Sequence, residues 1–484
     1  MDSGWKIGLA AAALAGWAAG CATGPDFKAP AGPESDSLGV AGGLTAEAHG
    51  PGGAAQEFTA EMDVPGRWWE LFGCPALDAT VAEALENSPT LVQAEARLRQ
   101  AQEEYNAQAG GRRLPAVDAG LGAKRQKVNP EATGMDNVPV PDPFAVYNAS
   151  VSVSYAFDLF GKNRRTLEAL KAQVDRREFE RAAARQTLAA NVAVAMIRYA
   201  EAGRQLWLAT EIANSREGQC GIAKNRLDAG GMSRREMEGQ EQLWQEAQAA
   251  RIGLEEDFLR SHRQVQVLLG REPGGKPVDA LDLDTMRLPG KMPLRLPADV
   301  ARQRPDIRAA EAVWHQACAN VGVATADLYP QITLTASLGS QETDLEKLLS
   351  AANVWSFGGD LVQPVFHGGA LRAKKRAALA AYDEAAAAYR ETVLHGLQEV
   401  ADTMDALAAD ARLLEARQAA EDHAQAALEI ADRQQADGGL STLAVLDERV
   451  RMLQAMGRRV SAQAARYADT AALFHALGGT APRD

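Results

Sequence analysis

A chain of 484 residues with a formal net charge of −13 and only 6% aromatic residues is long enough for several ordinary domains, but it carries no basic stripe with interleaved aromatics, which argues against a nucleic-acid partner. Beyond the N-terminus no apolar run reaches the length of about 18 residues that a transmembrane helix needs. The four cysteines, Cys21, Cys74, Cys220 and Cys318, lack metal-ligand spacing, and a disulfide framework would be odd in so large a chain.

In chain order, Lys6 is followed by an apolar run from Ile7 to Ala19. It is too short to span a bilayer and suits the core of a signal peptide over residues 1–20. The run ends Ala18-Ala19-Gly20-Cys21, which resembles the lipobox of bacterial lipoproteins. The resemblance implies cleavage before Cys21 and lipidation there, with palmitate as a candidate acyl group. Two acylations would anchor firmly where a single chain binds only marginally. An ordinary secretory signal with an incidental cysteine is the plainer alternative. Residue 22 is Ala rather than Asp, which by resemblance to bacterial sorting rules permits transfer to the outer membrane. Residues 21–61, rich in Gly, Ala and Pro and aperiodic, read as a lipid-anchored extended segment. Trp68 and Trp69 then open a helical stretch with Leu71, Phe72, Leu77, Val81 and Leu85 on its apolar side. The tryptophan pair reads as docking the terminus rather than as marking a membrane interface.

The rest of the chain is written twice. Pro89-Thr90-Leu91 aligns with Pro305-Asp306-Ile307 at a shift of 216, and Gly230-Gly231-Met232-Ser233 aligns with Gly438-Gly439-Leu440-Ser441 at a shift of 208. Repeats are expected over residues 62–271 and 301–484, with residues 272–300 as a linking segment. Units of this length are two copies of a large element, not a solenoid. Each copy reads helix, strand, loop, strand, long helix, turn, long helix.

Strands are expected at about 114–127, 145–160, 330–340 and 355–366. From Tyr147 to Leu159 apolar side chains alternate with Asn148, Ser150, Ser152, Ser154, Ala156 and Asp158, and in the second copy Thr333 and Thr335 alternate with Ile332, Leu334 and Ala336. The fourth strand alternates less cleanly around Gly358-Gly359 and Pro364. A half-buried sheet in a soluble domain would alternate too. The runs, however, approach the length of a tilted membrane strand, in a chain that carries an outer-membrane address. Four strands are too few to close a membrane barrel, which takes about eight. The barrel is therefore expected to be shared between chains.

The long helices are expected from about Arg164 to Gly230 and from about Arg372 to Gly438, with no proline to break them. Leu188, Val192, Ala195, Tyr199, Ala202, Leu206, Ala209 and Ala213 step as a coiled-coil seam. The register returns 205 positions later as Val393, Leu397, Val400, Met404, Leu407, Ala411 and Leu414, failing only at Gln418. Such a helix is roughly 100 Å long at about 1.5 Å per residue. The fold class expected is mainly α with a membrane β-barrel.

The lipobox followed by Gly24-Pro25-Asp26-Phe27, the Trp68-Trp69-Glu70-Leu71-Phe72 stretch, Arg304-Pro305-Asp306-Ile307 and Gln363-Pro364-Val365-Phe366-His367-Gly368-Gly369 together resemble the outer membrane factors of the TolC family. The likeness is to their lipoprotein branch, which serves resistance-nodulation-division (RND) efflux pumps, and it covers essentially all of the mature chain. It implies a two-repeat outer membrane efflux protein. In a homotrimer, four β-strands per chain would form a twelve-stranded barrel, and the helices a long α-helical barrel extending into the periplasm. It implies a passive exit duct of a tripartite pump, with a periplasmic adaptor (membrane fusion) protein and an inner-membrane RND-type pump as partners. Asn148, Ser150, Ser152, Ser154, Asp158, Thr333 and Thr335 would face the pore. Gly230, Gly231, Gly438 and Gly439 would make the tight tip turns where the adaptor docks. Residues 125–145 and 341–354 would lie outside the cell, and residues 272–297 would belong to an equatorial belt. Where many relatives carry an acid after the second tip turn this chain has Leu440, with Asp437 before the turn. The periplasmic aperture would then be ringed by Asp437 and Leu440. Cys74 stands where relatives commonly carry Asp and receives no role.

Enzyme readings are weak. Gly270 to Lys276 fits the opening of a phosphate-binding loop, but Pro277 replaces the required hydroxyl and a helix precedes it. His315 and Cys318 share a helix face, yet two residues do not make a zinc site. No catalytic residue, metal or cofactor is expected. Two other readings remain: an outer membrane conduit for type I protein secretion, and a lipid-anchored coiled-coil scaffold without a pore. The scaffold leaves the four alternating strands unexplained.

Overall fold

The computed structural model describes residues 23–33, 35, 43–59, 62–127, 143–295, 297–350 and 352–478. The signal peptide expected over residues 1–20 and Cys21 lie outside them, as does most of the first inter-strand loop. In chain order the elements are β1 (Glu57–Thr59), a 3-10 turn at Trp68–Phe72, α1 (Pro75–Asn87), α2 (Pro89–Arg113), β2 (Ala116–Gln126), β3 (Phe144–Phe157), α3 (Lys162–Asp228) and α4 (Arg234–Leu268). There follow β4 (Lys291–Pro293), α5 (Pro297–Gln303), α6 (Pro305–Ala326), β5 (Gln331–Glu342), β6 (Val354–Val362), α7 (Ala370–Ala436) and α8 (Thr442–Ala476).

The duplicated order is present in both copies. The long helices α3 and α7 each run 67 residues, and α4 and α8 each run 35. Two strands end earlier than the alternation suggests. β3 stops at Phe157 because the next residue, Asp158, turns its carboxylate to the start of α3. β6 stops at Val362, since Pro364 has no N–H to give the ladder.

The chain forms two compact units, one of Met1–Ala29, Arg97–Arg177 and Ala310–Tyr389, the other of Pro30–Ala96, Glu178–Ala309 and Arg390–Asp484. Each draws on both copies of the duplication. In the first unit the four-stranded sheet has the order β2-β3-β5-β6, antiparallel throughout. Trp314 of α6 packs its ring against Tyr382 and Tyr389 of α7, with centroids 5.7 and 5.6 Å away. The segment just beyond Cys21 is tied down here. Thr23 donates through its N–H and its hydroxyl to the Phe160 carbonyl, Arg165 pairs with Asp26 at 2.5 Å, and Phe27 stacks on His315.

The second unit is a layer of helices in the order α4, α3, α8, α7. Tyr199 of α3 stacks on Phe258 of α4, Gln205 of α3 donates to the Gly457 carbonyl of α8 at 2.7 Å, and Arg459 of α8 pairs with Glu421 of α7 at 2.6 Å. The expected seams are buried in this layer: Leu188, Val192, Ala195, Tyr199, Ala209 and Ala213 on α3, and Val393, Val400, Met404, Leu407, Ala411 and Leu414 on α7. Ala202, Leu206 and Leu397 are half-buried. The N-terminal strap crosses one face of α8. Arg466 is fully buried there and donates to the Gly52 and Ala54 carbonyls and to Thr45 Oγ1. Trp68 and Trp69 are buried, and Trp68 stacks on Phe474, so the tryptophan pair docks the strap. The parallel pairing of β1 with β4, which no periodicity announces, ties residues 57–59 to the linking segment.

Candidate functional site

The sheet register sorts the strand residues by face. Asp118, Ser152, Ser337 and Ser356 are lateral partners across the four strands, and Ser337 and Ser356 join their hydroxyls at 2.8 Å. The next row is Ala116, Ser154, Thr335 and Gly358, and beyond it Ala156, Thr333 and Asp360. Ser150 and Asn148 fall on the same face, opposite Gly120 and Gly122. One face is thus small, hydroxylated and wet. The other carries Leu121, Val151, Leu338, Trp355, Phe357 and Leu361, all exposed, with Leu121 at 82%, Trp355 at 75% and Phe357 at 76%. In the chain as described β2 and β6 each pair on one side only. Strand β6, which reads poorly in sequence, falls into register once paired. Its odd positions are apolar apart from Gly359, which sits against the Leu334 side chain.

Asp158, expected among the pore-facing strand residues, is a correction. It lies past the strand end and accepts from the Asn163 and Arg164 N–H groups at 2.9 Å each. A carboxylate there satisfies the free donors of the first turn of α3. The other six strand positions named from sequence share one face as expected.

At the ends of the hairpins the backbone closes identically in both copies. Gly231 donates to the Arg226 carbonyl and Gly230 to that of Leu227, and Gly439 and Gly438 donate correspondingly to Gln434 and Gln435. This is the paired closure in which a left-handed residue satisfies the last helical carbonyls. Of these four glycines only Gly230 and Gly438 hold a positive φ, +74° and +79°. The need for glycine that sequence assigns to all four positions therefore rests on the first of each pair. A Cβ on Gly231 or Gly439 would meet a carbonyl oxygen at an ordinary 3.5 Å. The following helices are capped differently. Ser233 and Glu236 bond reciprocally as a capping box, whereas Ser441 accepts from the Ala444 N–H and nothing returns the bond. Leu440 turns into its own hairpin, half-buried against Leu428, Ala431 and Val445, while Asp437 is exposed. Cys220 donates to Glu241 across the first hairpin at 3.1 Å. Burial, and then Glu241, push its thiol up to about 11, so it stays protonated.

Arg304, part of the motif noted in sequence, joins three helices of the second unit. It donates to the Ala476 carbonyl ending α8, to both carboxylate oxygens of Asp306 on α6, and to Glu399 of α7. His475 approaches the other oxygen of Glu399 at 3.6 Å. His475 and Arg304 hold the Glu399 carboxylate at about 2 against the cost of burial. Among the described residues no cluster of His, Cys, Asp and Glu could hold a metal, and no helix is long and apolar enough to cross a membrane.

A sheet with one wet and one uncovered apolar face, carried on helices doubled back at glycine turns, is the construction of a membrane channel subunit. Residues 80–271 and 296–479 match the profile described as outer membrane efflux protein. The chain is 30% identical over 419 residues to the pyoverdine export outer membrane protein OpmQ of Pseudomonas aeruginosa, covering 85% of this chain and 87% of that one. It is 29% identical over 473 residues to the toluene efflux pump outer membrane protein TtgF of Pseudomonas putida, covering 95% and 94%. The open-state structure of the Neisseria gonorrhoeae MtrE outer membrane channel superposes with a TM-score of 0.80 at 26% identity, covering 96% of this chain and 99% of that one. The chain belongs to the outer membrane efflux protein family and is an outer membrane efflux channel. The family consists of channel proteins, not enzymes.

Proposed function

We propose that three copies of this chain form one duct, each giving four strands to a twelve-stranded barrel with the wet faces inward, and that Cys21 carries the lipid that anchors each copy. The observation that carries this reading is the sheet. Its apolar face is uncovered and its two edges are unpaired, which in lipid demands closure by further strands. Placement of Thr23 and Asp26 against α3 and the end of the sheet supports an anchor held close to that barrel. Residues 125–145 and 341–354 are then the loops on the outer side. The hairpin turns at Gly230 and Gly438 are the docking points for a periplasmic adaptor, and an inner-membrane RND-type pump supplies the energy.

The duct itself is passive. Opening is a shift between two packings of the hairpins, biased by the adaptor. Asp437 is the side chain left exposed to ring the aperture. Relatives named for pyoverdine and toluene export favour small-molecule cargo over a secreted protein. Native mass in detergent together with single-channel conductance of the lipidated protein tests the proposal. A trimer with a small, gated conductance is the expected result, and a non-conducting monomer would overturn it.

A further inference from the structure

The helical layer of the second unit has one covered and one bare face. On α8, Gln463, Arg466, Tyr467 and Thr470 bind the strap and the linking segment, so that side is filled by the chain itself. The opposite side of the same four helices forms a groove of about 890 Å3. Its floor is partly apolar, with Leu208 of α3, Leu254 of α4 and Leu413 of α7. Its charged lining runs against the chain's net charge of −13: Arg216, Arg417 and Arg458 stand against Glu201 and Glu246.

The charged groups are not equivalent. Arg216 is committed to Asp447 at 2.8 Å. Glu201 accepts from the Ser461 hydroxyl and Glu246 from the Gln242 amide. Arg417 and Arg458 make no hydrogen bond or ion pair among the described residues. They lie across the α7–α8 contact from each other, since Arg459, next to Arg458, pairs with Glu421, one turn on from Arg417. The groove therefore offers two solvent-accessible guanidinium groups with no protein partner among the described residues, beside an apolar floor. A guanidinium prefers a planar, bidentate anion such as carboxylate or sulfonate.

The geometry points to a binding site for amphipathic organic anions in this groove, with Arg417 and Arg458 holding the anionic group and the leucines the apolar body. All four helices of one chain build it, so every copy carries a complete site. Its role as a cargo subsite rests on the reading above, in which the bare face lines the duct. Two partly solvated charge pairs contribute on the order of 1.4 kcal/mol together, a factor of about ten in affinity.

Saturation-transfer NMR with naphthalene-2-sulfonate on the full-length protein in non-ionic detergent tests the site. Wild-type protein is expected to bind the anion saturably, and less tightly as salt rises. The Arg417→Gln/Arg458→Gln variant should bind roughly tenfold more weakly, and an Arg433→Gln control on the same long helix should match wild type. The matched cation, naphthalen-2-ylmethylammonium, should bind wild type more weakly than the anion. Equal anion binding by wild type and the double variant, or equal binding of anion and cation, would overturn the site. Conductance of the same preparations is read separately: a conducting wild type that shows no anion preference removes the groove and leaves the duct.

Discussion

Replacing Arg304 by alanine removes the hub of the second unit, and its cost follows from its contacts. The guanidinium side chain is 7% exposed and makes four hydrogen bonds, to Ala476 O at 2.6 Å, to Asp306 at 3.1 and 2.8 Å and to Glu399 at 2.7 Å. Breaking a buried ion pair by deleting one partner costs about 3–5 kcal/mol. Because Asp306 and Glu399 keep 43% exposure, the low end, about 3 kcal/mol, applies. The depression of Glu399 from 4.5 to about 2 bounds its share independently. At about 1.36 kcal/mol per unit the ceiling is about 3 kcal/mol, and solvent screening cuts it to about 1–2. His475 makes the largest single contribution to that depression and remains in Arg304→Ala, so the Asp306 fork and the orphaned Ala476 carbonyl carry much of the loss. Arg304→Lys keeps one charge but cannot make the fork, and should recover less than half. Thermal unfolding followed by tryptophan fluorescence reads this, because Trp68 stacks 5.5 Å from Phe474, two residues before Ala476. The folded Glu399 value is depressed, so its contribution is present above about 4.5 and lost as pH falls toward 2. Glu399→Gln should flatten that acid limb. An Arg304→Ala protein unfolding within about one degree of wild type would refute the reasoning. So would strict additivity of Arg304→Ala with Glu399→Gln.

Gly438→Val should raise hydrogen exchange over residues 430–445, because an L side chain at φ +79° costs roughly 1–2 kcal/mol; Gly439→Ala should leave exchange unchanged. Ser233→Ala removes a reciprocal cap and should cost about 1–2 kcal/mol of local stability, more than Ser441→Ala, with exchange in the first turns of α4 and α8 as the readout. Asp410 is pushed up to about 7, by burial first and then by Asp469, against the pull of Arg466. A raised carboxyl stabilises fully below its ordinary 3.8, and that contribution is lost as pH rises through about 7. This group should therefore lower the wild-type unfolding temperature as pH rises from about 4 to about 7, and Asp410→Asn should flatten that limb.

What sequence made legible is what repeats. The seams on α3 and α7, the alternation of β3 and β5 and the glycine pairs are periodic or duplicated, and each is found where its period places it. Asp158 misled because alternation does not say where a strand stops. The deciding contact is a cap on the following helix, two N–H groups that come within reach only after the chain has turned. Arg466 was hidden for a related reason: a lone arginine in an amphipathic helix reads as a solvated face, and the strap that buries it is aperiodic and more than 400 positions away. Arg417 and Arg458 are equally ordinary in sequence. They become distinctive only when the acids that share their groove, Glu201 of α3 and Glu246 of α4, are seen to be hydrogen-bonded to Ser461 and Gln242.

The two hairpins have the same backbone closure but different side-chain chemistry. The first is fixed at its turn by a capping box and by the Cys220–Glu241 bond, polar contacts that hold one geometry. The second has a one-way cap, the Ser441–Ala444 contact at 3.4 Å, and one polar contact across its turn, from the Gln435 amide to the Thr442 hydroxyl at 2.9 Å, and it also leans on Leu440 packed against Leu428, Ala431 and Val445. Apolar contacts of this kind are non-directional and tolerate sliding of one helix on another better than a reciprocal hydrogen-bond pair does. Near its turn each hairpin thus has one polar tie between its helices, and that of α7 and α8 lacks only the reciprocal cap. Its turn also presents Asp437 to solvent, so a displacement that moves Leu440 within its cluster would move that exposed charge as well.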